Sequence, residues 1–172
     1  MEIDPDNLLN FRLWRLVSLA GAPVTRLCEG RYGITRREWH LLILLFRDSS
    51  LSPSELAERA SLDRARVSKA VSGLIEKALV QRNPGRDDRC RIILGLTEKG
   101  VALVRDLFPQ VEAINVRVLS AIPPAAQDAL ISALDAMTRQ ANEIAREAGA
   151  DVRIDRYRGG RKRLWEGNDF SD

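Results

Sequence analysis

The apolar residues Val67, Ala70, Val71, Leu74, Ile75 and Ala78 recur at i, i+3, i+4, i+7, i+8 and i+11, the spacing that lines one face of an α-helix. What precedes this stretch limits the folds open to the chain. Ser52, Pro53 and Glu55 supply an N-cap, a proline at the first helical position and a glutamate at the third, which predicts a short helix from there to about Ala60. Residues 61–63 leave room only for a tight turn, and Asp63 stands where it would cap the next helix. Two short helices joined by a turn of about three residues, the second polar over its outer face, make a helix-turn-helix.

The flanking sequence extends this unit. Leu79 to Arg82 and Arg91 to Leu96 read as strands around a Pro- and Gly-containing loop, Asn83 to Asp88, which gives a β-hairpin with a basic tip, a wing. Upstream, Leu8, Leu9, Leu13, Leu16, Val17, Leu19, Ala20, Val24 and Leu27 predict a long helix over Asn7 to Glu29, bent at Pro23 and stopped by Gly30 to Gly33. Thr35 with Glu38 forms a capping box that opens a second helix through Trp39, Leu42, Leu45 and Phe46 to near Asp48. Downstream, helices are expected at about Glu98 to Ser120, kinked by Pro109, and Pro124 to Ala148. The expected fold class is all-α with a small β-hairpin wing.

Composition narrows function by exclusion. The chain has 172 residues, 45% hydrophobic and 30% charged, the balance of a globular protein with one sizeable core. Its longest apolar run, Leu41 to Phe46, falls far short of the roughly 18 residues that cross a bilayer. The N-terminus, with Glu2, Asp4 and Asp6, lacks a signal peptide's basic start, so a cytoplasmic location is expected. Cys28 and Cys90 have no CxxC spacing, and the single histidine, His40, leaves few ways to build a zinc site or a His-dependent catalytic group. No Gly-rich phosphate loop or nucleophile in a recognisable setting is present in the sequence. No enzymatic activity, cofactor or metal is therefore expected.

The net charge of +3 conceals an uneven distribution. Arg64 to Arg91 holds eight basic and three acidic residues, and Asp151 to Arg163 six and two, so the rest of the chain is net acidic. Positive charge gathered into two segments is the footprint of phosphate contact. In the helix after Asp63 the apolar face centres on Val67 and Val71, leaving Ala65, Lys69, Ser72 and Glu76 opposite, with Arg66 and Ser68 flanking. A helix that enters the major groove needs small or hydrogen-bonding residues at its leading end and longer basic side chains that reach bases or phosphates. A solvated face carrying charge for solubility is the alternative. In the wing, Arg86, Arg89 and Arg91 surround Asp87 and Asp88, an arrangement suited to the enhanced negative potential of a narrow minor groove. The candidate DNA-contacting set is Ser54, Arg64, Ala65, Arg66, Ser68, Lys69, Ser72, Arg86, Asp88, Arg89 and Arg91.

From Leu8 to about Ala148 the chain resembles the MarR family of winged helix-turn-helix regulators. The resemblance rests on Ile34-Thr35-Arg36-Arg37-Glu38-Trp39, Leu51-Ser52-Pro53-Ser54-Glu55-Leu56-Ala57, Val67-Ser68-Lys69, Leu74-Ile75-Glu76-Lys77 and Leu96-Thr97-Glu98-Lys99-Gly100, in that order and spacing. It implies an obligate homodimer whose terminal helices form a shared interface and whose paired recognition helices read a pseudo-palindromic operator in double-stranded DNA. It also implies a regulator, most often a repressor, that responds to a small phenolic or aromatic acid or to oxidants. The implied organisation is a dimerisation helix in 1–33, a DNA-binding lobe in 34–97, dimerisation helices in 98–150, and a basic tail in 151–172. The tail is expected to lack stable structure, a basic arm on flanking phosphates being the alternative. One departure stands out: Cys90 occupies the position where the family's Asp-x-Arg wing signature, begun at Asp88, would place its arginine. Read one residue earlier the signature is Asp87 and Arg89, which favours Arg89 as the minor-groove residue. An effector is expected where the helical interface meets the DNA-binding lobe, near Trp14, Trp39 and His40, whose alternative role is core packing. Two rival functions fit the same residues, a thiol-based oxidant sensor and a winged-helix protein-interaction module without DNA binding.

Overall fold

The computed structural model describes Asp4, residues 7–85 and residues 92–151. The element order is α1 (Leu9–Arg31), α2 (Arg36–Arg47), α3 (Pro53–Arg59), α4 (Arg64–Glu76), β1 (Val80–Pro84), β2 (Ile92–Leu96), α5 (Glu98–Leu119) and α6 (Pro124–Asp151). Elements α1 to α5 belong to one unit, Met1–Ala121, and α6 to a second, Ile122–Asp172. The fold is helical with one two-stranded hairpin, as the sequence leads one to expect.

The helices begin where side chains satisfy their first backbone N–H groups. Thr35 Oγ1 accepts from Glu38 N–H at 3.1 Å and Glu38 Oε2 accepts from Thr35 N–H at 2.6 Å, a complete capping box at the head of α2. Ser52 and Glu55 repeat the arrangement at α3, with Pro53 in its first turn. Asp63 caps α4 and Thr97 caps α5, the latter accepting from Gly100 N–H at 3.0 Å.

The ends of α3 and α4 share one device. The chain leaves α3 through Ser61 at φ 52° and α4 through Ala78 at φ 55°, both left-handed. In the first, Ser61 N–H donates to Glu58 O and Leu62 N–H to Ala57 O, each at 3.0 Å. In the second, Ala78 N–H donates to Ile75 O and Leu79 N–H to Leu74 O, each at 2.9 Å. This double closure satisfies carbonyls that the helix end would orphan. It also corrects the reading of Ala78 as the last residue of the apolar stripe. The helix stops at Glu76, Ala78 is exposed, and the reversal carries Leu79 into the core instead.

The core is built from one face of each element of the first unit: Val24 and Cys28 of α1, Leu41, Leu42 and Leu45 of α2, Leu56 of α3, Val67, Val71 and Leu74 of α4, Leu94 of β2, and Val104 and Leu107 of α5. Burying each such Val or Leu side chain contributes about 1.5–3 kcal/mol before chain entropy is set against it. β1 and β2 pair antiparallel from Val80 opposite Leu96 to Pro84 opposite Ile92. Asn83 and Pro84, expected in the loop, are therefore in the ladder. Proline is tolerated there because it occupies the final position of an edge strand. The second strand starts at Ile92, and Arg91 lies outside the described residues. On its other side β2 is tied to the segment before α3 by Leu94 N–H donating to Leu51 O at 2.8 Å.

The first helix runs to Arg31 rather than Glu29, because Gly30 continues the helix and the left-handed turn falls at Gly33, φ 63°. The last runs to Asp151, three residues past the expected end.

Two substitutions at the junction of α4 and α5 should move stability in opposite directions. A Cβ at Gly100 would collide with the backbone carbonyl of Leu79, so Gly100→Ala should destabilise by about 1–3 kcal/mol. Ala78→Gly relieves a left-handed non-glycine residue and should stabilise by about 0.5–1 kcal/mol after the entropy of glycine is counted. Urea denaturation of both variants checks the pair.

Candidate nucleic-acid interface

The α3-turn-α4 unit presents a polar face to solvent. Arg64, Ala65, Arg66, Ser68, Lys69 and Ser72 of α4 and Ser54 of α3 are all exposed, while Val67, Val71 and Leu74 are buried behind them. The helical period therefore separates the two faces as the sequence predicts. Arg86, Asp88, Arg89 and Arg91, together with Cys90, lie outside the described residues. Arg66 is held in place: its backbone N–H donates to Asp63 Oδ1 at 2.9 Å and its Nε lies 3.0 Å from Asp63 Oδ2.

The far end of α4 is anchored by long-range contacts that the sequence does not announce. Glu38, a buried carboxylate, accepts from Lys77 Nζ at both oxygens, at 2.9 and 2.7 Å, while also closing the capping box of α2. Gly73 makes room for it, since a Cβ there would stand 2.9 Å from Glu38 Oε1. Lys99 Nζ donates to Lys77 O at 2.9 Å and Thr97 Oγ1 to Ala78 O at 2.7 Å, so the head of α5 caps the tail of α4. A cation at the carbonyl end of a helix is favoured by the helix dipole. Glu38 and Lys77 lie 39 residues apart, beyond the reach of any local pattern.

The three candidate effector residues sit differently. Trp14 is 67% exposed on α1, with the Phe11 ring centroid 6.3 Å from its own. Trp39 is 7% exposed and packed in the core. His40 is on the surface of α2, where desolvation and then the nearby Arg36 charge lower its pKa below the ordinary 6.5. Arg36, which the sequence did not single out, lies across α1. Its Nη1 donates to Val17 O at 3.4 Å, and a Cβ at Gly21 would collide with its guanidinium. Nearby, burial pushes the Cys28 thiol up. At the C-cap of α1, Tyr32 Oη donates to Asp106 Oδ2 at 2.6 Å, a bond that raises the Tyr32 pKa and ties the end of α1 to α5. Among the described residues no cluster of His, Cys, Asp and Glu is placed to hold a metal ion, and no helix is long and apolar enough to cross a membrane.

The MarR family model matches residues 32–89, which run from the end of α1 through the helix-turn-helix into the wing. Over these residues the chain is similar to the MarR family. Over 79 residues it is 32% identical to the HTH-type transcriptional repressor YetL of Bacillus subtilis, a match covering 45% of this chain and 47% of YetL. The match thus spans about half the length of that relative. Among solved structures, a MarR/EmrR family transcriptional regulator from Acinetobacter sp. ADP1 aligns at TM-score 0.75 and 22% identity, over 82% of this chain and 99% of that one. CouR from Rhodococcus jostii RHA1, bound to p-coumaroyl-CoA, aligns at 0.70 and 22% identity over 79% and 95%. BpsR of Bordetella bronchiseptica, whose DNA binding is regulated by 6-hydroxynicotinic acid, aligns at 0.70 and 20% identity over 80% and 98%. At these identities the structures establish the fold alone, a winged helix.

Breaking the Glu38–Lys77 pair should have an asymmetric cost. In Lys77→Met a carboxylate that is 6% exposed is deprived of its cation, and we expect a destabilisation of about 1–3 kcal/mol, reduced from a fully buried pair because the lysine is 36% exposed. Glu38→Gln keeps an acceptor for the capping box and leaves an ammonium that can turn to water, so it should cost less. The double variant should cost less than the two singles together, and urea denaturation of the cycle measures the difference.

Proposed function

We propose that this protein is a MarR-family regulator, a homodimeric, sequence-specific DNA-binding repressor of transcription whose DNA binding is relieved by a small aromatic ligand. The observation that carries the reading is the outer face of α4, where Arg64, Arg66 and Lys69 stand exposed among Ala65, Ser68 and Ser72. That face combines small residues that let a helix approach a groove with cations that reach bases and phosphates. Ser54 is exposed on the preceding helix, and the wing residues Arg86, Asp88, Arg89 and Arg91 complete the proposed contact set.

A dimer is supported by large apolar side chains that stand exposed among the described residues. Leu9, Phe11, Trp14, Leu16 and Leu19 on α1 and Phe108 and Val116 on α5 are 43–68% exposed. An apolar area of this kind on a folded chain marks a contact surface. Two recognition helices held about 34–36 Å apart would then enter successive major grooves. A ligand relieves binding only through unequal affinity for dimers of different spacing. Its expected place is beside Trp14 and His40, with Arg36 as the cation for a carboxylate. The 6-hydroxynicotinic acid named for BpsR is an acid with an aromatic ring, and the p-coumaroyl-CoA named for CouR shares the ring but carries its acyl group as a thioester. A thiol switch at Cys28 is disfavoured, because a buried thiol with a raised pKa is a poor nucleophile.

Fluorescence anisotropy of the full-length protein on the DNA flanking its gene, across a salt series and against a scrambled duplex, tests the reading. We expect strong preference for the native duplex and a steep salt slope. Lys69→Ala should make that slope shallower by about one, the equivalent of one phosphate left unneutralised. Equal, weak binding to both duplexes and to a pool of genomic fragments would overturn the reading.

His40 offers a second readout as the sole histidine. Its neutral form is favoured in the folded state, so the unfolded chain takes up a proton first and stability falls as the pH drops below 6.5. Proton NMR should find it titrating below 6.5, and Arg36→Gln should raise that value. A bound aromatic acid whose carboxylate lies between the two should raise it further.

A further inference from the structure

We propose that Arg66 reads a guanine in each operator half-site and that Asp63 is the positioning residue for that contact, an inference that rests on the DNA-binding reading above. Arg66 is in the first turn of α4, the end of a recognition helix that meets base edges. Arg66 engages both oxygens of the Asp63 carboxylate, Oδ1 through its backbone N–H at 2.9 Å and Oδ2 through its Nε at 3.0 Å. Asp63 is itself fixed as the N-cap, so the backbone of α4 sets where the guanidinium goes.

This arrangement selects among the partners an arginine can take. With Nε engaged, the terminal Nη1 and Nη2 pair remains, a planar two-donor fork that matches guanine O6 and N7. A carboxylate 3.0 Å from Nε offsets the positive charge and repels a phosphate, whereas the neutral edge of guanine is not penalised in this way. Holding the side chain in advance also lowers the ordering cost of a directional contact. Ala65, next to it and exposed, adds no bulk that would keep the helix out of the groove. Arg64 and Lys69 form no ion pair among the described residues and suit the phosphate contacts. The chain thus carries cations of two kinds on one helix, one neutralised and aimed, the others able to follow the backbone.

The test selects duplexes from a randomised pool with the full-length protein and measures anisotropy on the enriched sequence. A guanine should be fixed at one position of each half-site. Replacing it with 7-deazaguanine should weaken wild-type binding roughly tenfold and leave Arg66→Ala unaffected. Asp63→Asn keeps an oxygen for the cap and removes the charge. It should lower the preference for guanine over adenine at that position roughly tenfold while binding random DNA as well as wild type or better, a gain that a merely destabilised helix would not produce. If Arg66→Ala instead weakens every duplex equally, Arg66 is a phosphate contact and the inference falls while DNA binding stands. If the pool yields no enrichment and no binding, both fall.

Discussion

A carboxylate in a protein interior must be satisfied from every side, and Glu38 is the residue on which this fold turns. It closes the cap of α2 with one oxygen and receives Lys77 on both, so the start of one helix is bonded to the end of another. Lys77 passes the restraint on, because its carbonyl accepts from Lys99 in the first turn of α5. Three helices that share little sequence proximity are therefore tied at one point. The exposed face of α4 is held at its leading end by Asp63 and at its trailing end by this cluster, and a helix fixed at both ends presents its side chains at a defined angle.

The turns around α4 show why two non-glycine residues are kept in a left-handed conformation. At Ser61 and Ala78 the backbone bends so that the next residue, Leu62 or Leu79, donates to a carbonyl five residues back. The hydrogen bonds offset the strain of the left-handed residue, about 1–2 kcal/mol in each case. At the second turn the gain is larger, because Leu79 becomes fully buried and its carbonyl accepts from Thr97 N–H at 3.1 Å. Gly100 then lets α5 come against that same carbonyl. Connection geometry and core packing are here one feature.

Where a rule is local, the sequence carried it. The capping signals at Thr35, Ser52 and Asp63 lie within three residues of their partners and mark the helix starts of α2, α3 and α4. The 3.6-residue period likewise sorted Val67, Val71 and Leu74 from Arg64, Arg66 and Lys69. Helix ends were less legible, because a left-handed cap is usually signalled by glycine and here is made by Ser61 and Ala78. Long-range pairs were not legible at all. Nothing near Glu38 announces Lys77, and nothing near Arg36 announces that Gly21 on another helix leaves space for its guanidinium. The second of these could have been suspected from a glycine inside an otherwise apolar helical stretch, a position that often marks close approach.

Arg36 and Glu38 belong to the same first turn of α2 and reach in different directions. Arg36 lies on α1 over Gly21 and bonds to Val17 O, while Glu38 reaches back to Lys77 at the end of α4. An anionic group that drew Arg36 away from α1 would act on the turn whose cap Glu38 closes, and Glu38 cannot shift without moving its cation or giving it up. Giving it up is costly for a buried carboxylate, so the favoured response is for α4 to follow. That supplies a physical route, two residues long, from the proposed ligand position beside Arg36 to the angle of the helix proposed to read DNA. The route has force only for a ligand that binds one arrangement of Arg36 more tightly than the other, since only differential affinity shifts an equilibrium between them.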